Sequence, residues 1–139
     1  MKLSVKTDYA CRAVELMARR YGDNKTMHIQ ELAVAQGIPE NYLVQILTVL
    51  RSAGFVKSKR GKEGGYYLAR PPGEITFGEV VRAVQGHVLD MPSLSDPNCP
   101  EAMKEVWRKI QKTSEQIADN VTFEDLVSAS EPGSGMFYI

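Results

Sequence analysis

Between Pro39 and Leu68 the chain reads PENYLVQILTVLRSAGFVKSKRGKEGGYYL, and few folds accommodate that order of signals. Leu43, Ile46, Leu47 and Leu50 recur at helical spacing, so they line one face of an amphipathic helix that begins at Pro39. Asn41, Gln45 and Thr48 fall on another face, with Arg51 one turn further on. Gly54 stops the helix, and Phe55 and Val56 start a strand. Lys57, Ser58, Lys59, Arg60 and Lys62 then lead through Gly61, Gly64 and Gly65 to a returning strand at Tyr66 and Tyr67. A helix with an exposed row of short polar side chains, followed at once by a cationic glycine-tipped hairpin, suits the grooves of a nucleic acid duplex.

The flanking segments extend the pattern. Ala10, Ala13, Val14, Met17, Ala18 and Tyr21 form the inward stripe of a first helix, which starts near Thr7 or Asp8 and closes at Gly22. Ile29, Leu32 and Ala33 mark a short second helix that Gly37 stops. Gly37 and Ile38 therefore form the turn of a helix-turn-helix whose second helix is the one from Pro39. Pro71, Pro72 and Gly73 end the hairpin. Thr76 and Glu79 make a capping-box pattern before Val80, Val81 and Val84. Pro92, Pro97 and Pro100 exclude a regular helix from the connector after Gly86. Pro100 then opens the longest helix, with Met103, Val106, Trp107, Ile110, Ile117 and Val121 on one stripe to about Asn120. Thr122 caps a last short helix carrying Phe123, Leu126 and Val127.

The expected fold is mostly α with a small β-hairpin wing: a winged helix-turn-helix with a long C-terminal dimerisation helix. Residues 1–85 make the DNA-binding domain and 86–99 a connector loop. Residues 100–131 hold the dimerisation helix and the short final helix, and 132–139 form a flexible apolar tail. Dimerisation is assigned to Met103, Val106, Trp107, Ile110 and Ile117; the alternative is that this stripe packs only within its own chain.

The 139 residues carry 17 basic and 17 acidic side chains, and that balance conceals segregation. Through Gly73 there are 12 Lys/Arg against 6 Asp/Glu, a net +6; the remainder holds 5 against 11, a net −6. A basic half directed at a polyanion and an acidic rear follow from such asymmetry. No stretch is apolar for long enough to cross a membrane, and the first twenty residues are periodic, unlike a secretory leader, so a cytoplasmic location is expected. Two cysteines, Cys11 and Cys99, are too few for a disulfide scaffold. No nucleophile, base and orienting group stand together, so an enzyme is not expected.

These residues resemble the Rrf-type winged helix-turn-helix transcription regulators, the bacterial family of IscR, NsrR and CymR. The likeness covers nearly the whole chain. It is carried by Met1-Lys2-Leu3-Ser4, Tyr42-Leu43, Gln45, Leu50-Arg51, Ala53-Gly54, Val56-Lys57-Ser58, Arg60-Gly61, Gly64-Gly65-Tyr66 and Ile75-Thr76. It implies a homodimer, paired through the long helix and bound to palindromic promoter sites on double-stranded DNA. Asn41, Tyr42 and Gln45 would lie at the major groove and phosphates, and Arg60 with Gly61, Gly64 and Gly65 at the minor groove. Many members carry Glu where this chain has Val44, and smaller residues at Lys62 and Glu63, so base preference is expected to differ.

Cluster-binding members place three cysteines in the connector, where this chain has only Cys99. No cofactor or metal is expected, although an iron-sulfur or thiol redox-sensing regulator remains the alternative. Asp8 matches an acidic position that helps hold a cluster in some members, but fits a helix N-cap better. Cys99, before Pro100, is the redox-sensor candidate, weighed against an incidental thiol; Cys11 reads as a small buried hydrophobe. The ending Met136-Phe137-Tyr138-Ile139 resembles that of the cluster-free CymR-like branch, which represses cysteine and sulfur genes in complex with O-acetylserine sulfhydrylase (cysteine synthase). That likeness implies docking through Phe137, Tyr138 and Ile139, against the alternative that the tail packs on the dimer. A third possibility is a protein-interaction module that acts on an enzyme through this tail.

Overall fold

The computed structural model describes residues 3–22, 26–62 and 64–131, and the tail at 132–139 lies outside them. Six helices and one antiparallel hairpin follow in the order α1 Val5–Arg19, α2 Ile29–Gln36, α3 Glu40–Ser52, β1 Val56–Lys59, β2 Gly65–Leu68, α4 Phe77–Gln85, α5 Glu101–Asp119 and α6 Phe123–Ala129. The first helix starts earlier than its apolar stripe suggests. Ser4 is its N-cap, accepting the Thr7 N–H at 3.0 Å. Asp8 is therefore inside the first turn and pairs with Arg12 at 2.9 Å, so it is not the cap. Tyr21, assigned to the inward stripe, follows the helix end and is 45% exposed.

The core gathers Ala10, Ala13, Val14 and Met17 of α1 with Leu32 of α2 and Leu43, Ile46, Leu47 and Leu50 of α3. Val80 and Val81 of α4 close it from another side, and Phe123 of α6 enters it fully buried. Each buried Leu or Ile contributes about 1.5–3 kcal/mol over its exposed state, so the α3 face alone accounts for much of its docking. Gly37 adopts φ +63° at the end of α2, the left-handed conformation that lets the chain turn directly into α3.

Pro39 and Pro100 both stand one residue before their helices, as N-caps. Thr76 caps α4 by accepting the Glu79 N–H at 3.1 Å, and the reciprocal capping box forms at Thr122 and Asp125 of α6. The connector is not wholly irregular, since Pro92–Ser95 winds into a 3-10 turn. Backbone hydrogen bonds from Phe77 N–H to Val121 O (2.7 Å) and from Phe123 N–H to Ile75 O (3.0 Å) stitch the far end of α5 to the start of α4. Thus α6 returns to the same core as residues 1–85. Among the described residues no helix is long and apolar enough to cross a membrane.

Candidate nucleic-acid interface

Burial divides α3 as its periodicity requires. Leu43, Ile46, Leu47 and Leu50 are buried while Asn41, Val44, Gln45, Thr48 and Arg51 are exposed. Asn41, Gln45 and Thr48 fall on one strip, with Val44 set among them. Asn and Gln can bond adenine in two places, and an exposed Val offers an apolar surface for a thymine methyl. Thr48 is partly committed, because its hydroxyl donates to Val44 O at 2.8 Å; it remains an acceptor. Tyr42 is half-buried, its ring edge-on to Tyr9 of α1 with centroids 5.7 Å apart. That contact fixes the ring between α1 and α3.

The wing is registered Val56↔Leu68, Lys57↔Tyr67, Ser58↔Tyr66 and Lys59↔Gly65. Val56 and Leu68 anchor its base in the core, while Lys57, Lys59, Arg60 and Lys62 are exposed, and among the described residues none of the four pairs with a carboxylate. Four unneutralised cations on a short hairpin make an anion-seeking surface. Arg51 reaches from the last turn of α3 to Ser58 Oγ at 3.4 Å, which joins the exposed side of α3 to the wing. Between the wing and the start of α2 runs an open cleft of about 340 Å³ lined by His28, Gln30, Ser58, Lys59 and Arg60.

Two wing residues serve the fold as well as any ligand. Tyr66 is half-buried against the core, and its N–H and C=O each bond Met27 at 2.8 Å. Met27 thereby acts as a one-residue third strand. Gly65, at φ +136°, lies against the Met27 carbonyl, where any Cβ would collide with backbone. Gly64 donates its N–H to Gly61 O at 2.9 Å to close the tip. Gly61 has open space around it, so it is the tip glycine whose backbone stands clear. The Met27 bridge has no sequence signal beyond a single apolar residue between polar ones.

On α5, Met103 (51% exposed), Val106 (54%), Ile110 (40%) and Ile117 (65%) lie on one face, with Trp107 half-buried beside them. Only Ala118 of this helix is buried within the chain. The stripe therefore does not pack into its own domain. Cys99 is half-exposed just ahead of α5 and its thiol donates to Pro100 O at 3.7 Å. Cys11 is buried, and burial, helped by the charge of Asp8, pushes its thiol up to about 12. The docking residues Phe137, Tyr138 and Ile139 lie outside the described residues.

A family profile described as "Rrf2: Iron-dependent Transcriptional regulator" matches residues 3–129. The chain is similar to the HTH-type transcriptional regulator CymR of Bacillus subtilis, at 35% identity over 141 residues and 100% of both chains. Among solved structures it is similar to that of B. subtilis CymR, termed the global cysteine regulator, with TM-score 0.83, 30% identity and coverage of 94% of this chain and 99% of the other. It is also similar to T. potens IscR, with TM-score 0.79, 35% identity and coverage of 94% and 89%. The iron in the profile's description finds no matching donor set among the described residues. Cys99 is the connector's one thiol, and among the described residues no three His, Cys, Asp or Glu side chains converge. An iron-sulfur cluster is held by several thiolates, which these residues do not supply.

Proposed function

This chain belongs to the Rrf2 family of transcriptional regulators, and on that premise we propose that it is a sequence-specific DNA-binding repressor acting as a homodimer on palindromic promoter sites. The observation that supports it most is the joined surface of α3 and the wing, an exposed Asn41–Gln45–Thr48 strip linked through Arg51 and Ser58 to four cations that have no carboxylate partner among the described residues. In this arrangement α3 enters the major groove, where Gln45 and Asn41 read base edges and Val44 meets a thymine methyl. Tyr42, Arg51, Lys57, Ser58, Lys59 and Lys62 hold the register on sugar and phosphate, while Gly64, Gly65 and Tyr66 keep the shape of the wing that presents them. Arg60, beside the open Gly61, enters the minor groove. Pairing through Met103, Val106, Trp107, Ile110 and Ile117 covers the exposed α5 stripe and sets two α3 helices against successive grooves. Enrichment from a random duplex pool tests this: Gln45→Ala should relax one position in each half-site at a cost of about 1–3 kcal/mol, and an unchanged motif would count against α3 as reader.

A finer reading concerns the regulated genes. The likeness to CymR over the full length of both chains supports cysteine or sulfur metabolism as the controlled process. The apolar ending Phe137-Tyr138-Ile139 would then dock in O-acetylserine sulfhydrylase. Removing Tyr138 and Ile139 should abolish binding to that enzyme, and unchanged affinity removes the partner. Thiol sensing at Cys99 is tested by comparing DNA affinity after mild peroxide with that of Cys99→Ser; equal responses remove it.

A further inference from the structure

The same structure that exposes the α5 stripe also fixes how α5 leaves the DNA-binding body. Arg82, the one basic residue of α4, forks across to α5, with Nη1 on Glu115 Oε2 at 2.5 Å and Nη2 on Asp119 Oδ1 at 2.6 Å. Glu115 and Asp119 are one turn apart, so a single planar guanidinium holds two successive turns. The other oxygen of Glu115 accepts the Val88 N–H at 3.2 Å, and Gln111 Nε2 donates to Leu89 O at 3.2 Å. Gln85, next to this connector, donates to the His87 and Val88 carbonyls and accepts the hydroxyl of the fully buried Thr7 at 2.7 Å. Gly78 completes the contact from α4, because the carboxylate of Asp119 occupies the place a Cβ would take.

Roughly a third of a turn separates these α5 contacts from the Met103–Ile117 stripe. One face of α5 is therefore bound to α4 while the other is free to pair. The backbone bonds at Phe77–Val121 and Ile75–Phe123 fix the C-terminal end of α5 as a pivot, and the Arg82 fork resists rotation about it together with the Glu115–Val88 and Gln111–Leu89 bonds. On its other side α4 packs on α3 and α1 through the buried Val80 and Val81. The orientation of α5 relative to α3 thus passes through Arg82.

We propose that Arg82, with Glu115 and Asp119, determines which half-site spacing the regulator accepts. Arg82 is a positioning residue, and the proposal rests on pairing through α5. The lever arm is long: Glu101 to Asp119 spans about 27 Å of helix. A swing of 10° at the pivot displaces its free end by about 5 Å, more than the ~3.4 Å step of one base pair. A loosened fork therefore lets the two α3 helices reach spacings that the intact fork forbids.

The test uses the full chain and the duplex it enriches from a random pool, together with duplexes whose half-sites are one base pair closer or further apart. Affinities are measured for the parent, Arg82→Gln and the milder Asp119→Asn, with sedimentation to follow dimerisation. The parent should prefer its own spacing by about tenfold, and Arg82→Gln should reduce that preference to about threefold or less, with half-site sequence and dimerisation unchanged. Asp119→Asn should fall between. Both variants keeping the parent's ratio, or losing affinity equally at every spacing, would overturn the role of the fork. A parent that enriches lone half-sites would overturn pairing on DNA, and the spacing role with it.

Discussion

Arg60→Ala should make DNA binding less sensitive to salt, by an amount set by the number of phosphates that Arg60 neutralises. Arg60 is exposed, follows the last wing-ladder residue Lys59, and has no carboxylate partner among the described residues, so its substitution removes a cation without unpairing a protein anion. A homodimer carries two copies. Each neutralised phosphate contributes about −0.9 to the slope of log affinity against log salt on B-DNA, so the variant's slope should be shallower by about 1.8. Over the fourfold interval from about 50 to 200 mM salt, that difference amounts to roughly a twelvefold smaller loss of affinity. Fluorescence anisotropy on one duplex at four or five salt concentrations measures it directly. A slope shallower by about 0.9 would mean that one wing engages. An unchanged slope would refute Arg60 as a cation that displaces counterions from the duplex, whatever happened to affinity at a single salt concentration.

Burial and charge set three further outcomes. Val106→Glu places a charge in the exposed α5 stripe, so it should leave folding intact, convert the dimer to monomer in sedimentation, and reduce operator affinity by at least about 100-fold; a folded variant that still dimerises would remove α5 as the seam. The thiols should differ in reactivity: an alkylating reagent at pH 8 should modify half-exposed Cys99 and spare Cys11 until the protein unfolds. Because the folded pKa of Cys11 is raised from 9.0 to about 12, its contribution is fully present below pH 9 and is lost as pH rises toward 12. The loss should total about 4 kcal/mol, absent from the stability profile of Cys11→Ala.

The helix-turn-helix and the wing were legible because their signals are local. Gly37 ends α2 at the expected residue, the four apolar positions of α3 are buried together, and the hairpin closes between Val56 and Leu68. Start signals are harder to rank: Ser4 precedes the apolar stripe it caps, and Asp8 has the residue type of a cap while standing inside the first turn. Tyr21 has the right spacing for α1 but falls beyond its end, where helical periodicity no longer governs direction. Long-range polar contacts leave no trace in periodicity. Arg82 meets carboxylates 33 and 37 residues away, and Met27 meets Tyr66 across 39, so neither could be read from its neighbours. Gly78 reads as an ordinary residue of a capped helix, and only the fold brings Asp119 over it.

Binding of the full chain to its enriched duplex, titrated beside a scrambled duplex of equal length at physiological salt, tests the central claim most directly. A dimeric regulator reading base edges from α3 predicts two chains per duplex and at least about a thousandfold preference for the enriched sequence. One chain per duplex, or equal affinity for both sequences, would contradict it.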